Sequence, residues 1–110
     1  MQKDNLIYIE DILNSCNKIL SYTMDLSYDQ FSNNEVIKDA IVRNIEIIGE
    51  AANRLDDKWI YSHPDFPTRD AITMRNKLIH DYDFVNFDIV WETIQTDIPN
   101  LKNLCEKMLN

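Results

Sequence analysis

The segment Asn34-Glu35-Val36-Ile37-Lys38-Asp39-Ala40-Ile41-Val42-Arg43-Asn44-Ile45-Glu46-Ile47-Ile48-Gly49-Glu50-Ala51-Ala52-Asn53-Arg54-Leu55 repeats its apolar side chains with a single period. Ile37, Ile41, Ile45, Ile48, Ala52 and Leu55 follow at steps of four, four, three, four and three. Those steps stack them on one face of an α-helix. Ala40, Ile47 and Ala51 widen the stripe, so the helix predicted over 34–55 is covered by two neighbours rather than one. Asn34 can cap it, and Glu35 in the first turn suits the positive end of the helix dipole. Gly49 is the only glycine of the chain, and inside a helix it costs about 1 kcal/mol relative to Ala. With Ala51 and Ala52 beside it, the expected compensation is the close approach of another helix. Glu46 and Glu50 are four apart and repel unless Arg43, Arg54 or a cation from a neighbouring helix neutralises them.

Working outward, Leu6, Ile9, Leu13, Cys16 and Leu20 define one face of a helix over about 4–22, with Asp4, Asp11, Ser15 and Lys18 on the far side. Tyr22 to Asn34 is polar and reads as a connection. Residues 56–67 hold Pro64 and Pro67 with Trp59, Tyr61 and Phe66, which predicts an ordered connector pinned to the core. His63 is read as a loop residue there. A third helix starts near Thr68, which can cap it, and runs to about Tyr82. Phe87, Val90, Trp91, Ile94 and Ile98 mark a fourth helix, interrupted by Pro99. Leu101, Leu104, Cys105, Met108 and Leu109 complete a last short one. The expected fold is all-α, an antiparallel four- to five-helix bundle in one domain over 1–110.

Composition narrows the function. A chain of 110 residues with one glycine has no G-x-G-x-x-G or G-x-x-x-x-G-K-[ST] phosphate loop. It also lacks the turn residues of a hairpin-rich β fold. No apolar run approaches the roughly 20 residues of a membrane span, and the first ten residues lack a signal-peptide segment. The expectation is a cytoplasmic protein with no membrane association. Cys16 and Cys105 occupy apolar helical positions and are read as reduced core thiols, a disulfide between them being the alternative. Two His and two Cys without C-x-x-C, H-E-x-x-H or E-x-x-H spacing give no support for a metal site. No cofactor is expected.

Eleven basic against nineteen acidic residues leave a net charge of −8, which disfavours non-specific attraction to nucleic-acid phosphates. The charge is uneven. Between 54 and 77, Arg54, Lys58, Arg69, Arg75 and Lys77 stand against Asp56, Asp57, Asp65 and Asp70, a net of +1. An anionic ligand is therefore sought in this middle segment, with Arg69 and Lys77 as candidate phosphate contacts.

Met74-Arg75-Asn76-Lys77-Leu78-Ile79-His80-Asp81-Tyr82 concentrates the polar chemistry. In a continuous helix Asn76 and His80 share a face, as do Arg75 and Tyr82. A His near its ordinary pKa of about 6.5 serves as general acid or base at neutral pH. An Arg stabilises the extra charge of a phosphorane-like transition state. RNA brings its own nucleophile, the 2′-hydroxyl, so the set needs no metal. The same residues also admit a purely structural reading, with His80 bonded to Asn76 or Asp83 and Arg75 paired to Glu46 or Glu50.

Arg75 to Tyr82 resembles the R-x4-H-x-Y motif of HepT-like ribonuclease toxins of the HEPN superfamily. Arg43-Asn44-Ile45-Glu46-Ile47-Ile48-Gly49-Glu50-Ala51-Ala52 is similar to that family's second-helix signature. His63-Pro64, Arg69-Asp70, Ile72, Met74-Arg75-Asn76 and Val90-Trp91 fall in its order and spacing, so the likeness runs from Tyr8 to Leu101. Thr68 stands where many relatives have Trp, and Thr73 where Gly is usual. The resemblance implies a HEPN-like bundle that forms a two-fold homodimer with the two motifs facing each other. It also implies metal-independent RNA endonuclease activity with Arg75 and His80 catalytic and Asn76 supporting. Family toxins pair with a minimal nucleotidyltransferase (MNT) antitoxin that adds AMP to the motif tyrosine, here Tyr82. Adenylate phosphates two residues from His80 would place charge and bulk where RNA must approach. The alternative is a HEPN interaction module that does not cleave, and that binds or is modified by its nucleotidyltransferase. A helical dimer with no ligand is the third reading.

Overall fold

The computed structural model describes residues 2–79 and 85–110. Among them seven helices follow in order: α1 (Gln2–Thr23), α2 (Tyr28–Ser32), α3 (Glu35–Asn53), α4 (Asp57–Ser62), α5 (Thr68–Leu78), α6 (Phe87–Gln95) and α7 (Asp97–Leu109). The five longer helices are those that periodicity predicts, and the all-α class is as expected. Asn34 caps α3 by accepting a hydrogen bond from the Ile37 N–H at 3.0 Å.

α3 lies against α1 on one side and α5 on the other, and α7 closes the core against α1 and α6. Ile41, Ile45, Ile48 and Ala52 of α3 meet Ile9, Ile12, Cys16 and Ile19 of α1, with Val90, Ile98 and Cys105 from the last two helices, all without solvent exposure. The buried face of α1 is rotated from the predicted one. Leu6 is 38% exposed, whereas Ser15, expected on the far side, is only 3% exposed. The reason is that α1 is covered by two helices, α3 and α7. Its buried arc is centred on the Ile9–Ile12–Cys16–Ile19 line between them, and a serine is small enough to sit at its edge.

The connections between the helices differ from expectation. α2 and α4 fall inside the two predicted connectors. In α2, Ser27 and Gln30 form a capping box, with Gln30 N–H to Ser27 Oγ at 3.1 Å and Ser27 N–H to Gln30 Oε1 at 2.9 Å. This turn delivers Phe31, fully buried, onto Trp91 and Phe87 at ring-centre distances of 5.0 and 6.2 Å. α4 anchors the second connector through Trp59, on which His63 stacks at 4.2 Å while its Nδ1 bonds the Trp59 carbonyl at 2.8 Å. The start of α4 is held from a distance, Asn5 Oδ1 accepting from the Asp56 N–H at 3.0 Å.

Thr68 does not cap α5. Pro67 takes the N-cap position, and Thr68 is already the first helical residue, its buried hydroxyl without a hydrogen-bond partner. The break between the last two helices falls at Thr96 rather than at Pro99. A proline ring collides with the carbonyl four residues earlier, so Pro99 ends the helix before Thr96 and is then accommodated in the first turn of α7, where its missing N–H has no helical partner to lose. The thiols of Cys16 and Cys105 are free and buried, and burial pushes each up to about 12.

Candidate functional site

The motif begins in the last turn of α5. That helix ends at Leu78, four residues short of the predicted limit, and Ile79 leaves helical geometry while its N–H still bonds the Arg75 carbonyl at 2.9 Å. Helical spacing therefore relates Arg75, Asn76 and Lys77 to one another within α5. His80 and Tyr82, with Asp81 and Asp83, lie outside the described residues. Arg75 and Lys77 stand at the C-terminal, negative end of the α5 dipole, a favourable place for cations.

Arg75 faces α3. Its Nη2 lies 3.9 Å from Glu46 Oε2, and its Nη1 donates to Asn76 Oδ1 at 3.3 Å. Of the two carboxylates the sequence offered, the partner is Glu46. The Arg75 and Glu46 side chains are 35% and 28% exposed. Both contacts are long for charge-assisted bonds, which close to about 2.7–2.9 Å. Among the described residues the guanidinium is thus oriented without being saturated. It keeps donors to offer a phosphate, whose oxygens match the guanidinium fork as a carboxylate does.

Beside it, Gly49, Glu50, Asn53, Ile72, Arg75 and Asn76 line an open cleft of about 280 Å³ between α3 and α5. The expected close approach at Gly49 is present, and the approaching group is Arg75 itself. A Cβ placed on Gly49 would lie 2.6 Å from Arg75 Cγ, 2.8 Å from its Cβ and 3.1 Å from its Cδ. The signal for this contact was visible as a lone glycine in a strong helix, but periodicity cannot name what fills the space.

Of the other candidates, Asn76 joins Arg75, and Lys77 is exposed on the same last turn. Arg69 sits six residues before Arg75 on the same helix. It lines a second cavity of about 620 Å³ with Asn53, Tyr61, Thr68, Ile72 and Thr73 among others. Asn53 and Ile72 border both cavities, so the two adjoin along α5. Among the described residues no three His, Cys, Asp or Glu side chains converge in a metal-binding group, and no helix is long and apolar enough to cross a membrane.

In this α-helical bundle an arginine-bearing motif at the end of α5 opens beside a glycine of α3. Residues 12–108 match the family described as Ribonuclease HepT-like, and the chain belongs to that family. Relatives are similar over nearly the full length. "Putative RNase MJ0125" of Methanocaldococcus jannaschii is 36% identical over 108 residues, 98% of this chain and 93% of its own. "Probable ribonuclease HepT" of Thermococcus cleftensis is 34% identical over 98% of both chains. "Putative RNase TTE0752" of Caldanaerobacter subterraneus is 37% identical over 93% of this chain and 91% of its own. No solved structure matches the chain.

Proposed function

We propose that this chain, acting as one HEPN-like domain over 1–110, is a metal-independent RNA endonuclease, the toxin of a cytoplasmic HEPN/MNT toxin–antitoxin pair. The observation that carries the reading is the Arg75 guanidinium, its side chain about a third exposed, held among the described residues by two long contacts at the mouth of an open cleft. Membership of the HepT-like ribonuclease family supports it.

In the proposed reaction the RNA 2′-hydroxyl attacks the adjacent phosphorus, the P–O5′ bond breaks, and the products are a 2′,3′-cyclic phosphate and a 5′-hydroxyl. His80 acts as general acid or base, taking the 2′-hydroxyl proton or giving one to the departing 5′-oxygen. Arg75 stabilises the dianionic phosphorane-like charge, and Asn76 restrains Arg75. Lys77 and Arg69 contact flanking phosphates. Two copies related by a two-fold axis bring their 54–77 segments together, making a locally basic cleft on an acidic body. An MNT-type nucleotidyltransferase silences the site by adding AMP to Tyr82, since adenylate phosphates repel the incoming RNA phosphate.

The test is cleavage of RNA in EDTA by protein expressed without the nucleotidyltransferase, beside the His80→Ala variant. Cleavage by the wild type alone is the expected result. Equal cleavage by both chains removes His80 from the reaction. No cleavage by wild type whose Tyr82 is unmodified by mass spectrometry makes the chain a non-cleaving interaction module, the role that its net charge of −8 and the Arg75–Glu46 pair favour.

A further inference from the structure

We infer that Gly49 is the positioning residue for Arg75, its missing side chain forming the trough that aims the guanidinium into the cleft. For its catalytic part this rests on the ribonuclease reading above; the packing it describes does not. Gly49 is buried in the α3 face that meets α5. The Cβ, Cγ and Cδ of Arg75 all pass within 3.1 Å of where a Gly49 Cβ would stand. Two of those distances are under 3.0 Å, closer than real Cβ atoms come, and one of the two atoms is Arg75 Cβ, fixed to the α5 backbone. A rotamer change can move Cγ and Cδ but leaves that collision in place. Any side chain at position 49 therefore pushes α5 away from α3 as well as displacing the Arg75 stem. One turn before the trough stands Glu46, and beyond it open Glu50 and Asn53, so the arginine crosses α3 between a carboxylate and the cleft.

Helix propensity alone gives the opposite expectation, because Ala is the better helix former at an interior position. The sign of the Gly49→Ala effect thus separates a seat for Arg75 from an incidental glycine. In the Arg75 chain the substitution lowers Tm by about 4 °C or more. In an Arg75→Gly background, where the three colliding carbons are gone, it leaves Tm unchanged or raises it. On RNA, Gly49→Ala lowers kcat by about 100-fold with KM within a few fold, as expected when a transition-state contact is misplaced by an ångström or so. In ¹H–¹⁵N spectra, the Arg75 Nε–Hε resonance, assigned by its loss in Arg75→Gly, shifts in Gly49→Ala.

Equal Tm effects in the two backgrounds, or wild-type kcat in Gly49→Ala, overturns the inference. Should the wild-type chain not cleave RNA, the ribonuclease reading fails by itself. The melting cycle and the Arg75 resonance then still decide whether Gly49 seats Arg75.

Discussion

Arg75→Ala separates the work that the arginine does for the fold from the work proposed for it on RNA. Truncation removes Cγ and Cδ from the trough over Gly49. Two methylenes are worth about 1.6 kcal/mol at about 0.8 each if fully buried, and with the side chain 35% exposed about 1 kcal/mol of that is lost. The ion pair at 3.9 Å to Glu46, both partners roughly a third exposed, contributes at most about 0.5 kcal/mol. Alanine returns about 0.2 kcal/mol through helix propensity. The net loss is about 1–1.5 kcal/mol, a Tm decrease of about 4–6 °C for a chain of this size, out of a typical stability of about 5–15 kcal/mol. The variant therefore stays folded at 25 °C. RNA cleavage falls by about 100-fold or more, as when one preorganised donor to a developing oxyanion is removed. Circular dichroism melts and cleavage in EDTA on the same preparation make the comparison. A variant that unfolds at 25 °C would refute the packing estimate, since Arg75 would then belong to the core. One that melts as calculated but cleaves like wild type would refute the assignment of Arg75 to the reaction.

Two further outcomes test the fold. Phe31→Ala empties the site between Trp91 and Phe87 and costs about 3–5 kcal/mol; a Tm within 3 °C of wild type would mean that α2 is not pinned to α6. The two core thiols titrate near 12 when folded against about 9 when unfolded, so they stabilise the fold fully below pH 9 and lose that contribution as pH rises toward 12. Stability measured in urea between pH 9 and 11 should fall by up to about 1.4 kcal/mol per pH unit per thiol. A Cys16→Ala, Cys105→Ala double variant should show a shallower slope, and an identical slope would remove the thiols as its cause.

α3 was legible because nineteen helical residues give room for several turns of one stripe, and because Asn34 marks its start with a side chain suited to no other job there. α2 and α4, with five and six residues, each bury a single large side chain, Phe31 or Trp59, and one point has no period. The Ser27-x-x-Gln30 box was the local sign that would have disclosed α2. In α1 the stripe was visible but its angle was not, since apolar residues exceed what one neighbour covers and the arrangement of α3 and α7 chooses the centre. At the site, the motif named Arg75 and Asn76, and charge offered Glu46 and Glu50 equally. Only the crossing of α5 over α3 selects Glu46 and turns the isolated glycine into a seat for an arginine.

The packing of α1 against α7 orders events in time as well as in space. Ile9, Ile12, Cys16 and Ile19 find part of their cover in Leu101 and Cys105, some ninety residues later in the chain. Until the ribosome has released α7, the oily side of the first helix is covered by α3 alone, and its remaining arc has no partner. α7 completes the cover of α1. A chain cut short before α7 therefore leaves the Ile9–Ile12–Cys16–Ile19 line half covered.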